Sequence, residues 1–112
     1  MTTQSVAYQR TPFRVHTHLD ARHLYVLLVG ELDFEYAKTL EAGVLEPGVL
    51  DRSDVARVTI DMGDLIFINT AGARALLSLR STHQRLGREV RITNAHSLAR
   101  NIPDLVGREL TG

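Results

Sequence analysis

Apolar and polar residues alternate with different periods along the chain, and each change of period marks a predicted element. From Phe13 to Leu19 the period is two, which is typical of a half-exposed strand. The segment His23–Gly30 is almost wholly apolar and rich in β-forming residues, which predicts a second, more deeply buried strand. Because Asp20-Ala21-Arg22 reads as a turn, these two strands are expected to form a hairpin.

The pattern then changes to a helical one. Asp33 is placed to cap a first helix, since its carboxylate can accept hydrogen bonds from the first free amides. Apolar residues follow at spacings of three and four, and Pro47-Gly48 is expected to end the helix. The predicted inner face of this helix consists of Phe34, Ala37, Leu40, Val44 and Leu45.

Strand and helix patterns alternate through the rest of the chain. The sequence predicts a strand at Ala56–Met62, a helix from about Ala71 to Leu86, and a short strand at Glu89–Thr93. A third helix is expected to start near Ser97. The third strand is predicted to place Val58, Ile60 and Met62 on one side, and the second helix to bury Ala75, Leu76, Leu79 and Leu86.

The resulting order, β-β-α-β-α-β-α, predicts an α/β fold. A hairpin followed by strand-helix-strand units gives a mixed sheet with helices covering at least one face. Residues 1–12 are polar and are expected to form a flexible N-terminal arm, and residues 13–112 to form one domain.

Composition narrows the possible functions. The 112 residues carry no formal net charge, so nothing in the overall charge favours binding to nucleic acid or to an acidic membrane surface. The absence of cysteine excludes disulfides, thiolate metal sites and cysteine nucleophiles. No stretch reads as a signal peptide or a membrane span, so a cytoplasmic location is expected.

Three segments resemble one known family. "VGELD" at 29–33, "VTIDMGDLIFINTAGARALLSL" at 58–79 and "LGREVRITNAHSLARNIPDLVG" at 86–107 are similar to the anti-sigma factor antagonists, which are STAS-domain proteins. That family usually shows Gly-Glu-Leu-Asp after its second strand, then Asp-Ser-Ser-Gly or Asp-Ser-Thr-Gly where a helix begins. The resemblance implies a small domain with a mixed sheet and helices packed on one face.

The resemblance also implies a function. Family members bind an anti-sigma factor that is a serine/threonine kinase, and so regulate sigma-factor-dependent transcription until phosphorylation switches them off. The phosphoacceptor position falls on Thr70. The preceding acidic position falls on Asn69, the following hydroxyl on Ala71 and the glycine on Gly72, so two of the four positions depart from the family pattern.

The predicted partner-binding surface surrounds this helix start, where free amides and the positive end of the helix dipole can accept a phosphate. It comprises Asp33, Asn69, Thr70, Ala71, Gly72 and Arg74. For Asn69 and Thr70 the competing interpretation is simple capping of the helix, and for Asp33 it is capping of the first helix.

Other classes of function receive less support. No arrangement typical of an enzyme is present, and no cofactor is predicted. Asp61 and Asp64 around Gly63, and His16 with His18, are interpreted as solvated side chains rather than metal ligands. Two alternatives to a phosphorylated antagonist stay open: a STAS module that binds partners without phosphorylation, and a subunit of a larger signalling assembly.

The resemblance further implies that the chain is short at its C-terminal end. Most family members continue with another strand and a final helix, whereas only "RELTG" follows Gly107. A sheet edge left uncovered in this way would permit a homodimer.

Overall fold

Four strands form a single mixed sheet in the computed structural model, which describes residues 12–41, 54–95 and 98. The order across the sheet is β1-β2-β3-β4; β1 and β2 are antiparallel, and the other neighbours are parallel. The elements are β1 (Arg14–Asp20), β2 (His23–Leu32), α1 (Phe34–Glu41), β3 (Arg57–Ile68), α2 (Thr70–Arg85) and β4 (Glu89–Thr93). The predicted α/β class with a mixed sheet is confirmed.

Some predictions fall outside the described residues. They are the N-terminal arm up to residue 11, the end of the first helix near Pro47, and the third helix apart from Leu98.

The core lies between the two helices and one face of the sheet. Alternate residues of β2 and β3 point to this face, as the period-two pattern predicts. The buried side chains include Leu24, Val26, Leu28, Val58, Ile60, Met62, Leu76 and Leu79. The predicted deep burial of β2 is correct for this face only, because Tyr25 on the other face is 43% exposed.

Strand β3 is longer than its hydrophobic pattern indicates. The prediction ended it at Met62, whereas the strand continues to Ile68. Two extra residues in β3 relative to β2 explain the difference, one between Asp61 and Asp64 and one between Leu65 and Phe67. Such bulges interrupt the alternation of buried and exposed side chains, which is the signal that a sequence-based prediction uses.

The inner face of α2 differs from the prediction at its C-terminal end. Leu86 is the C-cap residue and is 50% exposed, because the chain leaves the helix there. His83, one turn earlier, is fully buried and occupies the inner face instead. Gly87 follows with a φ of +83°, the left-handed conformation that the predicted C-terminal glycine requires.

Candidate functional site

The candidate site lies at the edge of the sheet where both helices begin. Leu32 at the end of β2 is paired with Ile68 at the end of β3, and a helix starts directly after each strand. Parallel strands bring their carboxyl ends to the same edge, which is where open α/β sheets commonly bind ligands. The starts of α1 and α2 are therefore neighbours in the fold.

Each helix start has its own capping side chain. Asp33 Oδ1 accepts a hydrogen bond from the backbone N–H of Glu35 at 3.0 Å. Asn69 Oδ1 accepts one from the backbone N–H of Gly72 at 2.9 Å, and the Asn69 carbonyl accepts from Ala73 N–H at 2.9 Å. Asn69 thus caps α2, and Asp33 caps α1 as predicted.

Thr70 is the first residue of α2 and is partly exposed. Since Asn69 supplies the cap, the Thr70 hydroxyl is not needed to cap the helix. Within the described part of the chain this hydroxyl has no hydrogen-bond partner. Modification of this hydroxyl would therefore leave the capping hydrogen bond intact.

Gly72 has a packing role at the same turn. It is buried, and a Cβ built on it would lie 2.6 Å from the carbonyl oxygen of Leu32 and 2.9 Å from the Leu32 Cγ. Only a residue without a side chain lets α2 approach the end of β2 this closely. The backbone that Gly72 accommodates belongs to its own chain, and direct contact between Gly72 and a partner stays a prediction.

The two remaining predicted residues of α2 lie in different surroundings. Ala71 is half-buried and packs against the hydrophobic core. Arg74 is exposed and lies four residues after Thr70, so both side chains project from the same side of α2. A contact between Arg74 and a partner stays a prediction.

Two exposed apolar side chains next to the site were not predicted. Ile66 is 63% exposed and Phe67 is 44% exposed, and both lie at the end of β3 just before Asn69. Ile66 is the extra residue of the second bulge, which breaks the alternation and leaves two consecutive apolar residues facing outward. In the sequence, four consecutive apolar residues followed by Asn-Thr carry no sign of this exposure.

The start of α2 carries no negative side chain of its own. The first turn carries no acidic side chain, and the cap is a neutral amide. The positive end of the helix dipole and the unpaired first-turn amides are therefore not offset by a carboxylate of that turn.

The structure assembles no metal site from the residues it describes. No group of three histidine or acidic side chains lies close enough together there to hold an ion. In the same residues, no helix is long and apolar enough to cross a membrane.

Comparison with known proteins identifies the family. The sequence profile of the STAS domain matches residues 14–107, which is most of the chain. The chain therefore belongs to the STAS domain family, as its motifs predicted. A comparison with curated protein sequences gives no significant match.

Solved structures show the same fold at low sequence identity. The antisigma-factor antagonist STAS domain from Rhodobacter sphaeroides is 22% identical, with a TM-score of 0.68, covering 81% of this chain and 96% of that one. The anti-sigma factor antagonist SpoIIAA in its unphosphorylated form is 15% identical, with a TM-score of 0.54 and coverages of 72% and 71%.

A transporter contains a similar domain. The murine Solute Carrier 26 family member A9 (Slc26a9) anion transporter is 23% identical over 67% of this chain, with a TM-score of 0.57. The match covers 12% of the transporter chain, so there the fold is one part of a much larger protein. The fold is thus shared by proteins with different functions.

Proposed function

We propose that the protein is a non-enzymatic, cytoplasmic anti-sigma factor antagonist whose binding to an anti-sigma factor kinase is switched by phosphorylation of Thr70. The observation that carries this proposal is the partly exposed Thr70 at the first position of α2, whose hydroxyl makes no hydrogen bond within the described residues. The likeness to two antagonist structures supports the choice of partner.

A phosphate at Thr70 would act on the partner rather than on the fold. The free amides at the start of α2 and the guanidinium of Arg74, one turn along, can accommodate the added charge. On the docking surface, however, about two new negative charges would face the partner, and they would have to lose their water on binding. We therefore expect phosphorylation to abolish binding without unfolding the domain.

The apolar pair Ile66 and Phe67 is proposed as the anchor of this docking surface. Exposed large apolar side chains next to polar ones commonly mark protein-binding sites. These two lie within four residues of Thr70 in the chain, so we expect a partner that covers them to reach the hydroxyl as well. This contiguity would let a single modification control the whole interface.

The first test is phosphorylation by the anti-sigma factor kinase encoded by the source organism. The purified protein is incubated with that kinase and ATP, and its intact mass is measured. We expect the wild type to gain the mass of one phosphate and Thr70→Ala to gain none. Thr82→Ala is the matched control, because Thr82 is a partly exposed threonine of the same helix, and it should be modified like the wild type.

Binding is measured in parallel on the same samples. The unmodified protein should bind the anti-sigma factor, and the phosphorylated protein should bind at least about a hundredfold more weakly, since each tenfold loss corresponds to about 1.4 kcal/mol. The proposed switch would be refuted if the kinase still phosphorylated the Thr70→Ala variant. It would also be refuted if the phosphorylated protein bound the anti-sigma factor as tightly as the unmodified protein does.

The second test concerns the apolar anchor. Ile66→Ala with Phe67→Ala should weaken binding to the anti-sigma factor at least about tenfold, because truncated anchor residues typically cost more than 1 kcal/mol. Leu86→Ala is the control, since Leu86 is similarly exposed but lies at the opposite end of α2. Equal affinities for the double variant and the wild type, measured by calorimetry, would exclude these residues from the interface.

A second candidate function is a STAS module that binds its partner constitutively, alone or within a larger assembly. Asn69 and Ala71 favour it because they replace two positions of the family phosphorylation motif. In the transporter, this fold is one part of a much larger protein. Thr70→Asp distinguishes the two candidates. If the protein is an antagonist switched by phosphorylation, this variant should bind the partner more weakly than the wild type does. If it is a constitutive module, the affinity should be unchanged.

A further inference from the structure

A cavity of about 500 Å³ lies on the face of the sheet opposite the two helices. It extends from His16 and His18 on β1, over Tyr25 and Leu27 on β2, to Asp61 on β3 and Thr93 on β4. The strand pairing explains this grouping, because His16 is opposite Leu27, Leu27 is opposite Asp61, and Asp61 is opposite Thr93. Volumes of this size are typical of sites for small molecules.

The Asp61 carboxylate, which lines the cavity, is held in a defined position. Its Oδ1 accepts hydrogen bonds from the Gly63 backbone N–H and from Asn94 Nδ2, each at 2.8 Å. A Cβ on residue 63 would lie 3.0 Å from that oxygen, so the glycine leaves room for this arrangement. Asn94 adopts a φ of +61°, a conformation that is uncommon for a residue with a side chain.

These contacts all use one oxygen of Asp61. The other oxygen, Oδ2, makes no hydrogen bond within the described residues and is available to a ligand. Asp61 is also the one carboxylate among the described residues that line the cavity. The floor beside it is apolar and aromatic, consisting of Leu27 and of Tyr25, which is stacked on His23 with ring centroids 4.0 Å apart.

We propose that this cavity binds a small organic amine. Its ammonium group would be paired with Asp61 Oδ2, and its apolar body would lie on Leu27 and Tyr25. A fixed carboxylate next to an aromatic surface suits this chemistry, because it provides both a charge-assisted hydrogen bond and burial of the carbon skeleton. The proposal is independent of Thr70, since Asp61 lies on the sheet face away from α2.

The probe for this site is tryptamine, and indole-3-propionate is the matched anion with the same ring system. Each is titrated into the full-length ¹⁵N-labelled protein at mildly alkaline pH, and amide shifts are followed by NMR. We expect saturable tryptamine binding with shifts at Leu27, Thr59 and Thr93, and no saturable binding of the anion. If tryptamine caused no amide shift changes, or if both compounds bound equally well, the proposal would be overturned.

Two variants locate the contact. Asp61→Asn should weaken tryptamine binding at least about tenfold, while Asp64→Asn, an exposed carboxylate of the same bulge that does not line the cavity, should leave it unchanged. Leu27→Ala, which keeps the Asp61 contacts, should also weaken binding several-fold by removing part of the floor. Wild-type affinity in both Asp61→Asn and Leu27→Ala would overturn the assignment.

Discussion

Gly72→Ala is expected to lower the free energy of unfolding by about 2 kcal/mol, although alanine is the better helix former by about 1 kcal/mol. The new Cβ would lie 2.6 Å from the Leu32 carbonyl oxygen and 3.1 Å from Ile68 Cγ1. Because the first of these atoms belongs to the backbone of the central sheet, α2 must move away from β2. Overpacking of this kind typically costs 1 to about 3 kcal/mol.

Urea denaturation and NMR measure the effect of Gly72→Ala. The control is Gly87→Ala: a Cβ at Gly87 meets no atom within 4 Å, so only the φ of +83° opposes the substitution. The free energy of unfolding of Gly87→Ala should be about 1 kcal/mol lower than that of the wild type. Its amide chemical shifts at Asn69 and Thr70 should be unchanged, whereas Gly72→Ala should change both. Wild-type stability in Gly72→Ala would show that the close approach of helix and strand is absent in solution.

The second large effect expected is a loss of stability with acid through His83. The His83 imidazole is fully buried, and its Nδ1 accepts a hydrogen bond from Arg88 Nη1 at 2.8 Å. The proton of the neutral ring is therefore on Nε2, which has no partner within the described residues. Burial, with a contribution from the Arg88 charge, lowers the pKa of His83 from 6.5 to about 4.

The sign of the pH dependence follows from this lowered pKa. Between pH 6.5 and about 4 the unfolded chain takes up a proton at His83 while the folded protein does not. Above pH 6.5 the neutral His83 therefore does not lower the stability of the folded protein. As the pH falls from 6.5 towards 4, the free energy of unfolding decreases. The shift corresponds to a loss on the order of 3 kcal/mol.

His83→Gln isolates this contribution, because a glutamine oxygen can still accept from Arg88 but does not titrate. The difference in unfolding free energy between wild type and variant should change by about 3 kcal/mol between neutral pH and pH 4, since protonation of other groups affects both proteins alike. Gln84→Ala, which changes an exposed and non-titrating residue of the same helix, should keep the wild-type pH dependence. If the unfolding free energies of wild type and His83→Gln changed equally with pH, the loss of stability in acid would not be due to His83.

The sequence by itself determined the order of the elements from β1 to β4 and the family. These features depend on local signals: the period-two alternation of Val58, Ile60 and Met62, the cap at Asp33, and the STAS motifs at 29–33, 58–79 and 86–107. Each signal involves residues close together in the chain, so it can be read without knowing how the strands pair.

Only the tertiary structure decided what surrounds those residues. The exposure of Ile66 and Phe67 and the position of Asp61 depend on bulges, which are defined by the register of β3 against β2. The contact of Gly72 with Leu32 and the hydrogen bond between His83 and Arg88 depend likewise on how α2 lies on the sheet and where the chain turns after it. Register and helix placement result from the packing of the whole core, to which residues distant in sequence contribute together.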